Sequence, residues 1–155
     1  MKYPPDSAQD VEALRQVLKS SQLFGSLEQE DMDSCVPYAR VKTFEDEEIT
    51  CECPDANHDA FVVINGAVAL TFTIGSLTQT VNMIGLGTVF NTQHLLGLAQ
   101  RYYGGRAVGR VVVIALDTAK LVALFESHTR LGYPVIKTLA ALQLSQRDRE
   151  LENFL

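Results

Sequence analysis

From Ala60 to Gln100 the chain carries no Asp, Glu, Lys or Arg. A membrane span would need about eighteen continuous apolar residues, and Asn, Gly, Thr and Gln interrupt this run long before that. The run reads instead as short strands. "AFVVING" is an apolar stretch closed by a turn. "AVALTFTI" alternates, with Val68, Leu70, Phe72 and Ile74 on one face and Ala67, Ala69, Thr71 and Thr73 on the other. Gly75-Ser76 suits a two-residue hairpin loop, "LTQTVNMI" returns as the partner strand, and "GLG" makes a further turn. A last strand, "RVVVIAL", reads as buried throughout.

Helical patterns flank this body. Val11, Leu14, Val17 and Leu18 recur at helical spacing behind Ser7, a candidate cap. Ser26 with Gln29 has the form of a capping box, so a second short helix is expected to start there and stop before Pro37. Asp117 caps a helix over "TAKLVALFESH". Gly132 and Pro134 punctuate, and a final helix of about twenty residues is expected to follow them. The fold class is therefore α+β: one domain over 1–155, with an antiparallel β body at about 40–116 between short N-terminal helices and a C-terminal pair at about 117–155.

Charge is unevenly placed. The net charge is -6, and eight of the thirteen basic residues lie from Arg101 onward. That balance argues against a general nucleic-acid grip, which needs a basic patch. The acidic stretch "FEDEEITCECPDANHD" reads as a solvated loop and strand edge. Cys51 and Cys53 would share one strand face, and a Cys-x-Cys pair without a second pair is a poor metal site. An odd cysteine count without a signal peptide fits a reducing cytoplasm. No metal or cofactor is expected.

The element order and its punctuation resemble the cyclic-nucleotide-binding domain of catabolite activator and FNR-type regulators, protein kinase A regulatory subunits and gated channels. The likeness covers roughly 18–142. "LFGSLEQEDM" is similar to the family's entry helix. Phe61, Val63 and Gly66 fall in register with its Tyr-x-Val-x-x-Gly strand pair. Gly87 and Phe90 match its Gly-x-x-Phe approach to the phosphate-binding cassette. The resemblance implies a jelly-roll-like β-roll flanked by helices.

The cassette decides what the resemblance implies for function. The family pattern is Phe-Gly-Glu-x-Ala-Leu-Leu, four residues, then Arg-Ser/Thr-Ala. Its glutamate accepts the ribose hydroxyl, and its arginine pairs with the cyclic phosphate beside helix N–H groups. Here the frame reads Phe90-Asn91-Thr92-Gln93-His94-Leu95-Leu96, four residues, then Arg101-Tyr102-Tyr103. Arg101 falls on the phosphate arginine. Asn91 stands for the glycine, Thr92 for the glutamate, and the two tyrosines for the small pair, with Tyr103 as the better pocket plug. Two turn glycines early in the roll are replaced by Glu47 and Pro54. A lost acceptor costs about 1–3 kcal/mol, so loss of cyclic AMP and cyclic GMP binding is expected.

Two readings stay open for Arg101: an anion site, or an ion pair with nearby acids. If any ligand binds, Arg101, Asn91, Thr92, Gln93 and Tyr103 are the candidates to hold it. The three histidines, His58, His94 and His128, are isolated, and no nucleophile motif or Walker loop is present, so no catalytic residue is expected. His94 lies where some relatives of the fold place a haem ligand; a lone His on a short helix is read as structural. Related regulators continue into a DNA-reading domain, which is not expected in this chain.

Two expectations about partners follow. Leu139, Leu142, Leu144 and Leu151 recur along the last helix, which in the family pairs with its twin, so a homodimer is expected. The uncharged strands lack the lysines that normally guard an edge, so a protein partner is expected on them. The module is accordingly read as one that signals through protein contacts, the alternative being a sensor of another nucleotide or small anion through Arg101.

Overall fold

The computed structural model describes residues 8–51, 59–96 and 103–154. Among these residues the chain forms four helices, α1 (Ala8–Lys19), α2 (Gln29–Cys35), α3 (Thr118–Ser127) and α4 (Thr129–Phe154). The strands between them are β1 (Ala39–Phe44), β2 (Ile49–Cys51), β3 (Ala60–Ile74), β4 (Leu77–Ile84), β5 (Val89–Phe90) and β6 (Tyr103–Leu116). Every pairing is antiparallel. The order is β1-β6-β3-β4, with β2 on β6 and β5 on β3. This is the expected antiparallel roll between short leading helices and a C-terminal pair.

The apolar runs of β3 and β6 are explained by two cores that share these strands as a common wall. Phe61, Val63, Val68 and Leu70 of β3 meet Val111, Val113 and Ala115 of β6 inside the roll, with Phe44 and Phe90. Ala60, Val62, Ile114 and Leu116 point the other way, against Leu14, Leu18, Phe24, Leu121, Phe125 and Leu139. A strand buried on both faces has no polar side, so its sequence reads as continuous rather than alternating.

Several local signals act as read. Asp117 caps α3, its carboxylate accepting from the Lys120 N–H at 3.2 Å. Gly75 turns the β3–β4 hairpin at φ 62°, with Ile74 opposite Leu77. Others act differently. α2 starts at Gln29 behind Glu28, which makes no side-chain cap bond, so the Ser26 capping box does not form. The run "FVVING" is not closed by its turn: β3 continues through Gly66. The pairing with β6 shifts register on either side of Asn65, the second shift falling across Gly66, and then resumes from Ala67 as far as Phe72 opposite Tyr103. α4 likewise runs through Gly132 and Pro134. A Cβ on Gly132 would stand 2.6 Å from the Phe125 Cβ, so glycine there lets α3 and α4 approach.

Glu47, one of the two replaced turn glycines, sits at φ 69°. The turn survives because its ends are pinned: Glu47 N–H donates to the Ala107 carbonyl at 3.0 Å and Ala107 N–H to the Glu48 carbonyl at 2.9 Å. A left-handed residue with a Cβ costs about 1–2 kcal/mol. Its ion pair with Arg106, 3.5 Å long and exposed on both sides, returns little of that. Glu47→Gly is therefore expected to raise stability by about 1 kcal/mol, read as a rise of a few degrees in the melting temperature; an unchanged or lower value contradicts the strain. Pro54, the other replacement, lies outside the described residues.

Candidate functional site

The cassette begins where β5 pairs with the start of β3, Phe61 opposite Phe90 and Val62 opposite Val89. Phe90 is anchored in the roll by stacking on Phe61, ring centroids 5.0 Å apart. Val89 and Leu95 are anchored in the helical core. The backbone must turn between them, and Asn91 makes the turn at φ 58°. Asparagine is among the few residues besides glycine that visit this region. Its Nδ2 donates to the Asp59 carbonyl at 2.8 Å, and the Asp59 carboxylate pairs with Arg40 on β1. So Asn91 adopts the left-handed backbone that glycine takes most easily, and its side chain ties the turn to the residue before β3.

Thr92 follows, 2% exposed. Its carbonyl accepts from Leu95 N–H at 3.0 Å, opening a single 3₁₀ turn over Gln93–Leu96. Its hydroxyl accepts a hydrogen bond from the Gln143 Nε2 of α4. The expected ribose-acceptor position is thus occupied by a short hydroxyl already engaged by the chain itself. Asn91 Oδ1 and Gln93 Oε1 are buried acceptors that take no hydrogen bond among the described residues.

Between this turn, the end of β4 and α4 lies a cleft of about 60 Å³, room for a few water molecules and far below the 300 Å³ or more of an ordinary ligand pocket. Gln22, Asn82, Thr88, Thr92 and Gln143 line it with amides and hydroxyls; Met83, Ile84, Val89, Leu139 and Leu142 complete it. None of these side chains is charged. Gln143, Gln22, Asn82 and Thr88 were not among the sequence candidates, and nothing local in their surroundings marks them.

Arg101 and Tyr102 lie outside the described residues, as does the side chain of Tyr103, whose backbone opens β6 opposite Phe72. The next two arginines of the chain are paired with the acidic β1–β2 turn: Arg106 with Glu47 at 3.5 Å and Arg110 with Glu45 at 3.8 Å. The Cys35 thiol is pushed up to about 12 by burial, with a smaller contribution from Asp31. It is a neutral core filler rather than a nucleophile. Cys51 is buried in the roll, while Cys53 and His58 fall outside the described residues. No group of three or more His, Cys, Asp or Glu that could hold a metal occurs among the described residues. No described helix is long and apolar enough to cross a membrane.

Of the four leucines assigned to a dimer seam, Leu139 is 1% exposed and packs into this chain's own core. That is a correction: the apolar spacing of α4 is used first to close the helical core. Leu142 packs partly against the same core. Leu144 is 65% exposed. The side chain of Leu151 is outside the described residues. The uncharged hairpin does present apolar side chains to solvent, Ile74 and Leu77 at its tip and Met83 and Leu86 toward its other end.

No protein-family profile and no curated protein matches this sequence. Solved structures do. A cyclic-nucleotide-binding protein from Geobacter metallireducens GS-15 superimposes with a TM-score of 0.75 at 21% identity, over 94% of this chain and 98% of that one. The Thermus thermophilus catabolite activator protein matches with a TM-score of 0.69 at 25% identity, over 85% of this chain and 62% of that one. The regulatory subunit of a cAMP-independent protein kinase A from Trypanosoma brucei, in a mutant form bound to cAMP in its A site, matches with a TM-score of 0.64 at 17% identity, over 81% of this chain and 46% of that one. The chain spans less than two thirds of these last two proteins. The structural neighbours are cyclic-nucleotide-binding-domain proteins, and the fold is theirs.

Proposed function

We propose that this chain is a non-catalytic, cytoplasmic regulatory module that keeps the cyclic-nucleotide-binding fold, does not take cyclic AMP or cyclic GMP, and acts through protein contacts. The observation that carries the reading is Thr92. It stands in the frame of the family's ribose acceptor, is buried, and is already bonded to Gln143. A nucleotide seated against Thr92 would have to break that bond, and would find a hydroxyl in place of a carboxylate. Each unmet polar group costs about 1–3 kcal/mol. The alternative is an anion sensor working through Arg101, which lies outside the described residues. Protein contact is favoured by the exposed apolar residues of the β3–β4 hairpin and by the outer face of α4, where Ala140, Ala141 and Leu144 are exposed. A second copy on that face is included in the proposal, with Leu144 and not Leu139 in the seam.

Calorimetry tests the first half and light scattering the second. With cyclic AMP or cyclic GMP at micromolar concentrations no binding heat is expected, and no rise in melting temperature. A ligand at a hundred times its dissociation constant would add about 2.7 kcal/mol and could not be missed. Binding of either nucleotide overturns the reading in favour of an ordinary sensor. A scattering mass that stays monomeric at high concentration removes the second copy from it.

A further inference from the structure

α4 is held by a row of inward side chains: Leu131, Val135 and Leu139 are buried, and Leu142 and Gln143 half-buried. Beyond Gln143 the described side chains of the helix, Leu144, Ser145, Asp148 and Glu152, are all exposed. Gln143 is thus the last described residue by which α4 touches the body, and what it touches is the cassette. Its Nε2 donates to Thr92 Oγ1, and the two residues line one cleft.

The geometry points to a cassette that is liganded from within: the Gln143 carboxamide takes the place of a ligand's hydrogen-bond donor at Thr92 and latches α4 to the roll in the absence of any small molecule. The inference rests on the reading that no cyclic nucleotide occupies this cassette. The physical reasoning is short. The end of a helix frays until a tertiary contact stops it. The buried Thr92 is fixed by its backbone bond to Leu95, by Phe90 before it in the roll core and by Leu95 after it in the helical core. It therefore offers a rigid anchor. Gln143 reaches that anchor from a helix that has no buried described side chain further on. The latch sets where fraying stops.

Hydrogen exchange on the full chain tests this, with Gln143→Ala and Thr92→Val made singly and together. One hydrogen bond holds such an opening back by roughly fivefold. Backbone amides over 143–147 are expected to lose protection by about that factor in either single variant, while β3 and α3 keep theirs. The double variant is expected to lose no more than a single one, because both remove the same bond. Unchanged protection in Gln143→Ala, or losses that simply add, overturns the latch. If Thr92→Val loosens β3 as well, Gln143→Ala alone decides, since its side chain is only half-buried. Calorimetry with cyclic AMP on the same samples separates the two claims. Wild-type binding defeats the functional reading whatever exchange shows, and unaltered exchange defeats the latch whatever calorimetry shows.

Discussion

Phe61→Ala is expected to lower folding stability by about 3–5 kcal/mol, and to drop the melting temperature by roughly 6–20 °C for a chain of this size. Phe61 is fully buried at the centre of the roll. Phe44 meets it edge-on, centroids 5.9 Å apart and planes at 78°. Phe90 stacks on its other side at 5.0 Å. Truncation removes the middle ring of three and leaves a cavity that β-strands pinned by antiparallel pairing cannot collapse to fill. Equilibrium urea denaturation measures the loss. A cost below about 1 kcal/mol would mean that the three rings do not form the packed centre described here.

Gly66→Ala is expected to cost about 2–5 kcal/mol, from left-handed strain and overpacking together. Gly66 has φ 92°, and a Cβ there would lie 2.5 Å from the Arg110 carbonyl oxygen and 3.1 Å from the Val111 Cα. Those are backbone atoms of the paired strand, so no side chain can swing aside. Gly75→Ala is the control: φ 62° and nothing within 4 Å of the added carbon. It should lose only the strain, about 1 kcal/mol. Equal losses at both sites by denaturation would show that the close approach of β3 to β6 carries no weight.

The same glycine shows why the fold was legible in the sequence only up to a point. Gly66 looks like the end of a strand because a glycine after an apolar run ordinarily marks a turn. It bends β3 instead, because β6 pairs with the strand on both sides of the bend, and that pairing joins residues far apart in the chain. Pro134 misleads in the same way. It has no N–H to offer the Arg130 carbonyl, yet that lost bond lies near the start of α4, and the helix continues because Val135 and Leu139 have a core to enter. Among signals completed within a few residues, Asp117 as a cap and Gly75-Ser76 as a hairpin act as read, while the Ser26 capping box gives way to Glu28 ahead of α2. The site divides along the same line. The frame Phe90-Asn91-Thr92 and its departure from the family pattern are plain in the sequence. The partner of Thr92 is not, because Gln143 is 51 residues away and one glutamine among several polar residues on a helix carries no mark of where it points.

α4 continues as helix from Gln143, the last described side chain by which it meets the body, to Phe154. At 1.5 Å per residue this is an arm of about 16 Å. A tilt of about 10° at Gln143, small enough to pass for side-chain adjustment, would swing its far end by nearly 3 Å. The cassette is therefore also a fulcrum. A change at Thr92 far smaller than the span of a nucleotide becomes, at the tip of the arm, a displacement comparable to the length of a hydrogen bond, enough to make or break whatever is held there.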